Sequence, residues 1–277
     1  MPTPDTRPYR EANRANWDDR TRIHLGSRFY DVEGWLRDRP GPRPREVEAL
    51  GDVSGLRLLH LQCHFGMETL GWARAGARVV GLDFSPAAVA AARELAARAG
   101  LAPVSEFVCL DVYDAVERLG RAGFDIVYVS LGALCWLPSV DRWAEQVGQL
   151  LAPGGRFYLH DTHPVAWALA DQRPEFQHTY FEQEQPLVTD SDLTYTDLGH
   201  GIAHGRSYEW NHGIGETVTA LIRHGLQLEW LVEHDWTVWP QFAWLISAGD
   251  GVWSAPVPGP RPPLTFSLLA RRGSVPR

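Results

Sequence analysis

Short apolar runs alternate with helical patterns through the middle of the chain. Residues 56–61 (LRLLHL) form an apolar run of the length a buried strand needs. Residues 66–75 carry helical spacing through Leu70 and Trp72–Ala73, and Gly76 follows as a stop signal. Residues 78–82 (RVVGL) predict a second strand, ending at Asp83. Ser85 and Pro86 then supply an N-cap and a first-turn proline for an alanine-rich helix that stops at Gly100. A third strand is predicted over 106–110, ending at Asp111, and a fourth over 124–129 (FDIVYV), ending at Ser130. Ser139 caps a helix to about Leu151, Pro153-Gly154-Gly155 turns the chain, and residues 156–160 predict a fifth strand. Strands separated by helices at this spacing define a parallel sheet with right-handed crossovers. Ligands of such sheets lie at the carboxyl ends of the strands.

The flanks follow other patterns. Residues 1–50 are polar and helix-prone, with ten Arg against nine acids, and they end in the stiff run Arg39-Pro40-Gly41-Pro42-Arg43-Pro44. They predict a helical cover in front of a main domain over 51–277. Residues 165–206 break the alternation and hold seven acids, Asp197 among them, against Arg173 and Arg206. This is longer than a bare connection, so it predicts a cap insertion after the fifth strand. Beyond it, 216–224 predicts a helix, and 226–233 and 263–270 two further strands. No repeat is present, and no low-complexity run beyond the alanine-rich helix.

Composition narrows the function. The chain has 277 residues, net charge −8 and mean hydropathy −0.24. No run approaches the roughly 18 apolar residues of a membrane span, and the N-terminus shows no secretory pattern. A cytoplasmic setting is expected, with neither nucleic acid nor membrane as partner. Three scattered cysteines make neither a disulfide framework nor a metal motif. His60, Cys63 and His64 do not form a convergent ligand set on a strand and turn, so no metal is expected. There is no lysine at all. That excludes a Schiff base, a pyridoxal phosphate anchor and a Walker-type phosphate loop.

The first loop, Leu61-Gln62-Cys63-His64-Phe65-Gly66, selects between nucleotide-like ligands. A diphosphate needs several bare glycines, and only Gly66 is one. A ligand without phosphate suits the loop better, and S-adenosylmethionine is such a ligand. Asp83, 17 residues after Gly66, can accept both ribose hydroxyls. Its competing role as a helix cap is weak, because Ser85 already caps. Asp111 can accept from an adenine amino group, or it can serve as a turn residue.

These residues together resemble a class I S-adenosylmethionine-dependent methyltransferase of the small-molecule type. LLHLQCHFGMETL is similar to the family's first motif, VVGLDFSP to the second, CLDVYD to the third, FDIVYVS to the fourth, and LLAPGGRFYL to the segment entering strand five. The resemblance implies a doubly wound α/β fold with a seven-stranded Rossmann-like sheet. It implies a cofactor site along Gln62, His64, Gly66, Asp83, Phe84, Asp111, Val112 and Ser130. Where the family carries an acid in its first motif this chain has His60, and Gln62 and His64 stand for the first two glycines. Holding the cofactor's amino-acid end then falls to Gln62 or to an Arg of the N-terminal cover, where Trp17, Arg22 and Tyr30 are the candidates.

For chemistry, His163 follows strand five and is a candidate general base, the alternative being a histidine bonded to the turn backbone. His212 is a second candidate, beside Asn211 as a helix cap. Trp136, just after strand four, is expected to wall a substrate pocket. The acidic insertion either favours a neutral or cationic acceptor or is simply a solvated lid surface. The expected reaction is in-line methyl transfer to a small-molecule O, N or C nucleophile. Alternatives are a cyclase or decarboxylase using the same cofactor, and a non-catalytic cofactor-binding module. A homodimer is an open arrangement.

Overall fold

The computed structural model describes residues 5–196, 201–249 and 251–273. Asp197 and the first four residues, named above, lie outside the described residues. The seven expected strands form one sheet: β1 (Arg57–Leu61), β2 (Arg78–Asp83), β3 (Ser105–Cys109), β4 (Phe124–Val129), β5 (Leu151–Thr162), β6 (Leu226–His234) and β7 (Thr265–Arg272). Their order is β6-β7-β5-β4-β1-β2-β3. Strands β3, β2, β1, β4 and β5 run parallel, while β7 runs antiparallel between β5 and β6. The order reverses at β1, so the β1 and β4 ends open the crevice in which such sheets take ligands.

The described residues contain the α-helices α1 (Arg7–Leu25), α2 (Val32–Asp38), α3 (Pro44–Leu50), α4 (Met67–Arg74), α5 (Pro86–Arg98), α6 (Ala115–Leu119), α7 (Val140–Leu150), α8 (Pro164–Ala168) and α9 (Ile214–Arg223). Strand alternation sorts side chains between the two faces of the sheet. Leu59, Val127, Phe157 and Leu268 pack on one face, in one cluster with Trp143 and Val147 of α7 and Leu221 of α9. Leu58, Ile126, Tyr128 and Tyr158 pack on the other, with Trp72 of α4. Phe107 of β3 packs with Val89 and Ala92 of α5. Fully burying one such aliphatic side chain contributes roughly 1.5–3 kcal/mol. Ser85 caps α5 as its sequence indicates, its Oγ accepting from Ala88 N at 3.0 Å.

The insertion is not a bare loop. It contains two short antiparallel pairs, Leu169–Ala170 with Arg173–Phe176 and Leu187–Asp190 with Arg206–Glu209. A second small sheet, over Trp236–Thr237, Val252–Ser254 and Ile246–Gly249, precedes β7. Most of these residues are exposed, so no apolar alternation announces them.

α1 lies over the insertion and the start of α5, and its buried stripe is polar: Asn13, Asn16, Asp19, Thr21 and His24. Asn13 exchanges two hydrogen bonds with the Tyr208 backbone, at 2.7 and 2.8 Å. Asn16 Nδ2 donates to His204 O at 2.8 Å. Asp19 Oδ2 accepts from Ala203 N and His204 N at 3.0 and 2.8 Å. Asp18 Oδ1 accepts from Ser85 Oγ and Ala87 N at the head of α5. Hydrogen bonds hold this helix in place together with ring contacts, Tyr9 packing on Tyr208 and Trp210 and Trp17 on His64 and Trp136.

Candidate active site

The turn from β1 to α4 keeps a glycine-rich backbone with two side chains added. Gln62, His64 and Gly66 all have positive φ, at 57°, 52° and 79°. Gln62 and His64 therefore occupy conformations that non-glycine residues adopt at a cost of about 1–2 kcal/mol each. Gly66 is required twice over: its φ is left-handed, and a Cβ there would stand 2.6 Å from the Phe107 ring. The added side chains are used. Gln62 Nε2 donates to Ala133 O at 2.8 Å, tying the loop to the segment after β4. Gln62 Oε1 is buried with no hydrogen-bond partner. His64 packs in an aromatic group with Trp17, His24, Tyr30 and Phe65. Burial, then the neighbouring His24 and Arg20, push its pKa well below the usual value, so the ring is neutral.

Asp83 ends β2. Its Oδ2 accepts from His64 N at 2.8 Å and its Oδ1 from Ser85 N at 2.9 Å. A carboxylate offers about four acceptor sites, so two remain for a ligand. Burial pushes its pKa up to about 7, against the lowering effect of those backbone hydrogen bonds. Asp111 divides its oxygens differently. Oδ1 accepts from Tyr113 N at 3.0 Å, the turn role its sequence allowed, while Oδ2 pairs with Arg10 of α1. Asp114 makes no side-chain cap.

After β4, Ser130 Oγ stands 3.0 Å from His60 Nε2, and His60 Nδ1 stands 2.8 Å from Thr69 Oγ1. His60, where the family has an acid, thus links β1, α4 and the end of β4. Burial holds it neutral, with a pKa near 4. The next residues wrap around Asp161 of β5. Its carboxylate accepts from Gly132 N, Ala133 N and, at 2.9 Å, Leu134 N. This shapes the turn that carries Trp136.

These groups border one cavity of about 1590 Å³. Its lining contains Trp17, Tyr30, Gln62, His64, Gly66, Asp83, Phe84, Asp111, Val112, Ser130 and Trp136 of the residues singled out from the sequence. Three do not line it. Arg22 is 70% exposed and pairs with Asp19. Two residues along a helix is about 200°, so it points away from Trp17 and Arg20. Arg20 is the inward cation. Its guanidinium lies 5.6 Å from the Trp17 ring and 5.9 Å from the Trp136 ring, and donates to Asn16 Oδ1. His163 caps α8: Nδ1 accepts from Val165 N at 3.0 Å and Nε2 donates to Glu233 Oε1 at 2.8 Å. With both ring nitrogens engaged outside the cavity, it is not placed as a base. His212 Nε2 donates to Leu137 O at 2.7 Å. Burial opposes its charge, but the Glu182 and Glu216 carboxylates raise its pKa to about 9, so it already carries its proton at neutral pH. Asn211 does not cap α9; its amide donates to the carbonyls of Pro164, Thr179 and Tyr180.

Other lining residues were not singled out. Arg10 and Arg20 come from α1, and Tyr195 from the insertion reaches Tyr30, hydroxyl to hydroxyl, at 2.5 Å. Tyr158, His160, Trp230, His234 and Trp236 extend the cavity along the sheet face of β5 and β6. His160 Nε2 is buried without a partner. The signal for Arg20 was present, since Trp17 and Arg20 share a helix face at spacing i, i+3.

Residues 59–157 match the family model described as a methyltransferase domain. A methyltransferase of Synechocystis sp. whose name calls it uncharacterised is 33% identical over 157 residues, 55% of this chain and 67% of that protein. A ubiquinone biosynthesis O-methyltransferase of Methylocella silvestris is 32% identical over 134 residues, 48% of this chain and 47% of that one. The crystal structure of an S-adenosylmethionine dependent methyltransferase from Mesorhizobium loti superposes with a TM-score of 0.60 at 28% identity, covering 83% of this chain and 96% of that one. The chain belongs to the S-adenosylmethionine-dependent methyltransferases. It spans about half the length of the first curated relatives it matches.

The chain's own groups fit that cofactor. Asp83 has free acceptor sites for two ribose hydroxyls, Gln62 Oε1 is an orphaned acceptor among the described residues, and Arg20 is a half-buried cation in the same cavity. Arg20→Ala is expected to weaken S-adenosylhomocysteine binding at least about tenfold. Arg22→Ala should change it less than about twofold, its charge being solvated. Calorimetric titration of both variants checks the pair; equal effects would reverse the assignment.

Proposed function

We propose that the protein transfers a methyl group from S-adenosylmethionine to a small-molecule nucleophile. The observation that carries this is one continuous cavity of about 1590 Å³ holding both a cofactor-type acceptor set and a separate aromatic extension. Pockets for one drug-sized ligand run to about 300–1,000 Å³, so this one has room for donor and acceptor together. The described residues of 1–50 act as a cover and those of 165–206 as a cap over it. The relatives named for O-methylation support an oxygen nucleophile.

When bound, the cofactor supplies an electrophilic methyl group on its sulfonium. Asp83 takes the ribose hydroxyls, Asp111 the adenine amino group, and Gln62 and Arg20 the amino-acid end. Trp17, Tyr30 and Trp136 exclude water. Along the sheet face, Tyr158, Trp230 and Trp236 bracket the acceptor, and His160 Nε2 accepts its hydrogen. Burial, then Arg43 and His234, push the His160 pKa to about 3. His160 is therefore an orienting acceptor, not a store for a proton; the acceptor's proton leaves to solvent as the methyl passes from sulfur to oxygen. The gain in rate comes from holding the two reactants in line, for which proximity and orientation suffice.

Incubating the full chain with S-adenosylmethionine and a panel of small phenols and catechols tests this. The expected result is S-adenosylhomocysteine release matched by a product heavier by one methylene. A product of unchanged mass, or one that has lost carbon dioxide, would replace transfer with cyclase or decarboxylase chemistry. Tight cofactor binding with no turnover across the panel would favour a binding module.

A further inference from the structure

Outside the cavity, the insertion and the head of α9 bring Glu182, His212 and Glu216 together, one ligand atom of each lying within 4.8 Å of the others. The His212 side chain is 1% exposed. Its Nε2 meets the Leu137 carbonyl at 2.7 Å, and since a carbonyl only accepts, Nε2 carries the hydrogen. The other ring nitrogen, Nδ1, is buried and has no hydrogen-bond partner among the described residues. It faces Glu182 Oε1 at 3.7 Å and Glu216 Oε1 at 3.6 Å. These gaps are too long for direct hydrogen bonds. They lie at the upper edge of the spacing of two donors held at about 2.0–2.2 Å on one roughly tetrahedral ion, about 3.3–3.6 Å, so a small inward movement of Glu182 completes the set.

We propose that Glu182, His212 and Glu216 form a binding site for one divalent transition-metal cation of the zinc type, through Nδ1 and one oxygen of each carboxylate. The imidazole donor selects against magnesium and calcium, which prefer oxygen alone. The Nε2–H bond to a backbone carbonyl is the outer contact that orients a metal-bound histidine. Both carboxylates are about one-third exposed, at 33% and 34%, which leaves an entry path and room for water as a fourth ligand. Two carboxylates facing one ion neutralise its charge, and the ion displaces to solvent the proton that Nδ1 carries when the site is empty. His212 and Glu216 stand four residues apart, but Glu182 comes from the insertion, so no motif spacing reveals the full set. None of them lines the cavity, and the site is independent of the methyl-transfer proposal. Its effect is mechanical. His212 also holds Leu137, next to Trp136, and Asn211 holds the backbone of Thr179 and Tyr180. An ion here fastens the insertion to α9 and braces the turn that carries Trp136.

The test is calorimetric titration of the chelator-treated full chain with zinc chloride, with magnesium chloride as the comparison. The expected result is one Zn²⁺ per chain at micromolar affinity or tighter, no response to Mg²⁺, and a rise in Tm with zinc. In Glu182→Gln with Glu216→Gln the affinity should fall at least about 100-fold and the Tm rise should vanish. Retained S-adenosylhomocysteine binding shows that the double variant is folded. Zinc X-ray absorption on the wild type should show one nitrogen and two carboxylate oxygens from the protein. No zinc binding by the wild type, equal binding by the double variant, or a ligand set without histidine nitrogen overturns the proposal. The first of these outcomes would leave a proton between the ring and the carboxylates.

Discussion

Asp83→Ala is expected to lower S-adenosylhomocysteine affinity by about 10- to 100-fold, the loss of charge-assisted hydrogen bonds worth roughly 1.5–3 kcal/mol. The wild-type affinity should itself depend on pH. With the Asp83 pKa near 7 in the free protein, the charged acceptor form is present above that value and lost below it. Affinity therefore rises from pH 6 to pH 8 and levels off, and Asp83→Ala removes the rise. Stability of the free protein runs the other way. The folded-state value lies above the ordinary 3.8, so the contribution of Asp83 is fully present below pH 3.8 and is lost as pH rises through about 7. The fall in Tm between pH 6 and pH 8 should flatten in Asp83→Ala. An unchanged affinity in a folded variant, or a wild-type affinity flat over that range, removes Asp83 from the cofactor site.

The second large effect is structural. Asp161→Ala strips the acceptor from three consecutive backbone N–H groups, those of Gly132, Ala133 and Leu134. Each buried donor left without a partner costs about 1–3 kcal/mol. The expected loss is roughly 3–5 kcal/mol, a large share of a typical domain's stability, read as a lower midpoint in urea unfolding. Asp161→Asn keeps one acceptor oxygen and should lose about half as much. A loss under about 1 kcal/mol for the alanine variant would mean that the turn after β4 is held by something else.

The sheet was legible because each strand is a short apolar run ended by a polar residue, and a parallel ladder buried on both faces leaves few other ways to use such runs. The acids at the strand ends could be placed for the same reason. Side-chain direction was less legible. On β5, Tyr158, His160 and Thr162 line the cavity while Asp161 points to the opposite face. A histidine three positions beyond His160 looked equally close along the chain, yet His163 turns back to cap α8. On α1 the choice of Arg22 over Arg20 missed the helical phase, which Trp17 already marked. The small strands of the insertion pair through exposed residues, and their partners are set by the cover rather than by an apolar pattern. His212 and Glu216 are an i, i+4 pair that the sequence shows, but the approach of Glu182 to them depends on how the insertion folds back, which no local spacing encodes.

The polar stripe beneath α1 has a thermodynamic consequence. Lifting this helix exchanges hydrogen bonds to the insertion for hydrogen bonds to water, and each exchange changes the free energy by only about 0.5–1.5 kcal/mol. The fully buried residues of the helix are Asn13, Asn16, Asp19, Thr21 and His24, so the apolar surface wetted is chiefly that of the half-buried Tyr9, Trp17 and Ile23. The heat-capacity increment of this step is therefore small beside that of unfolding the sheet. The equilibrium between seated and lifted α1 should curve with temperature much less than global unfolding does. A cover seated in this way can lift and reseat over a wide range of temperature without putting the hydrophobic core at risk.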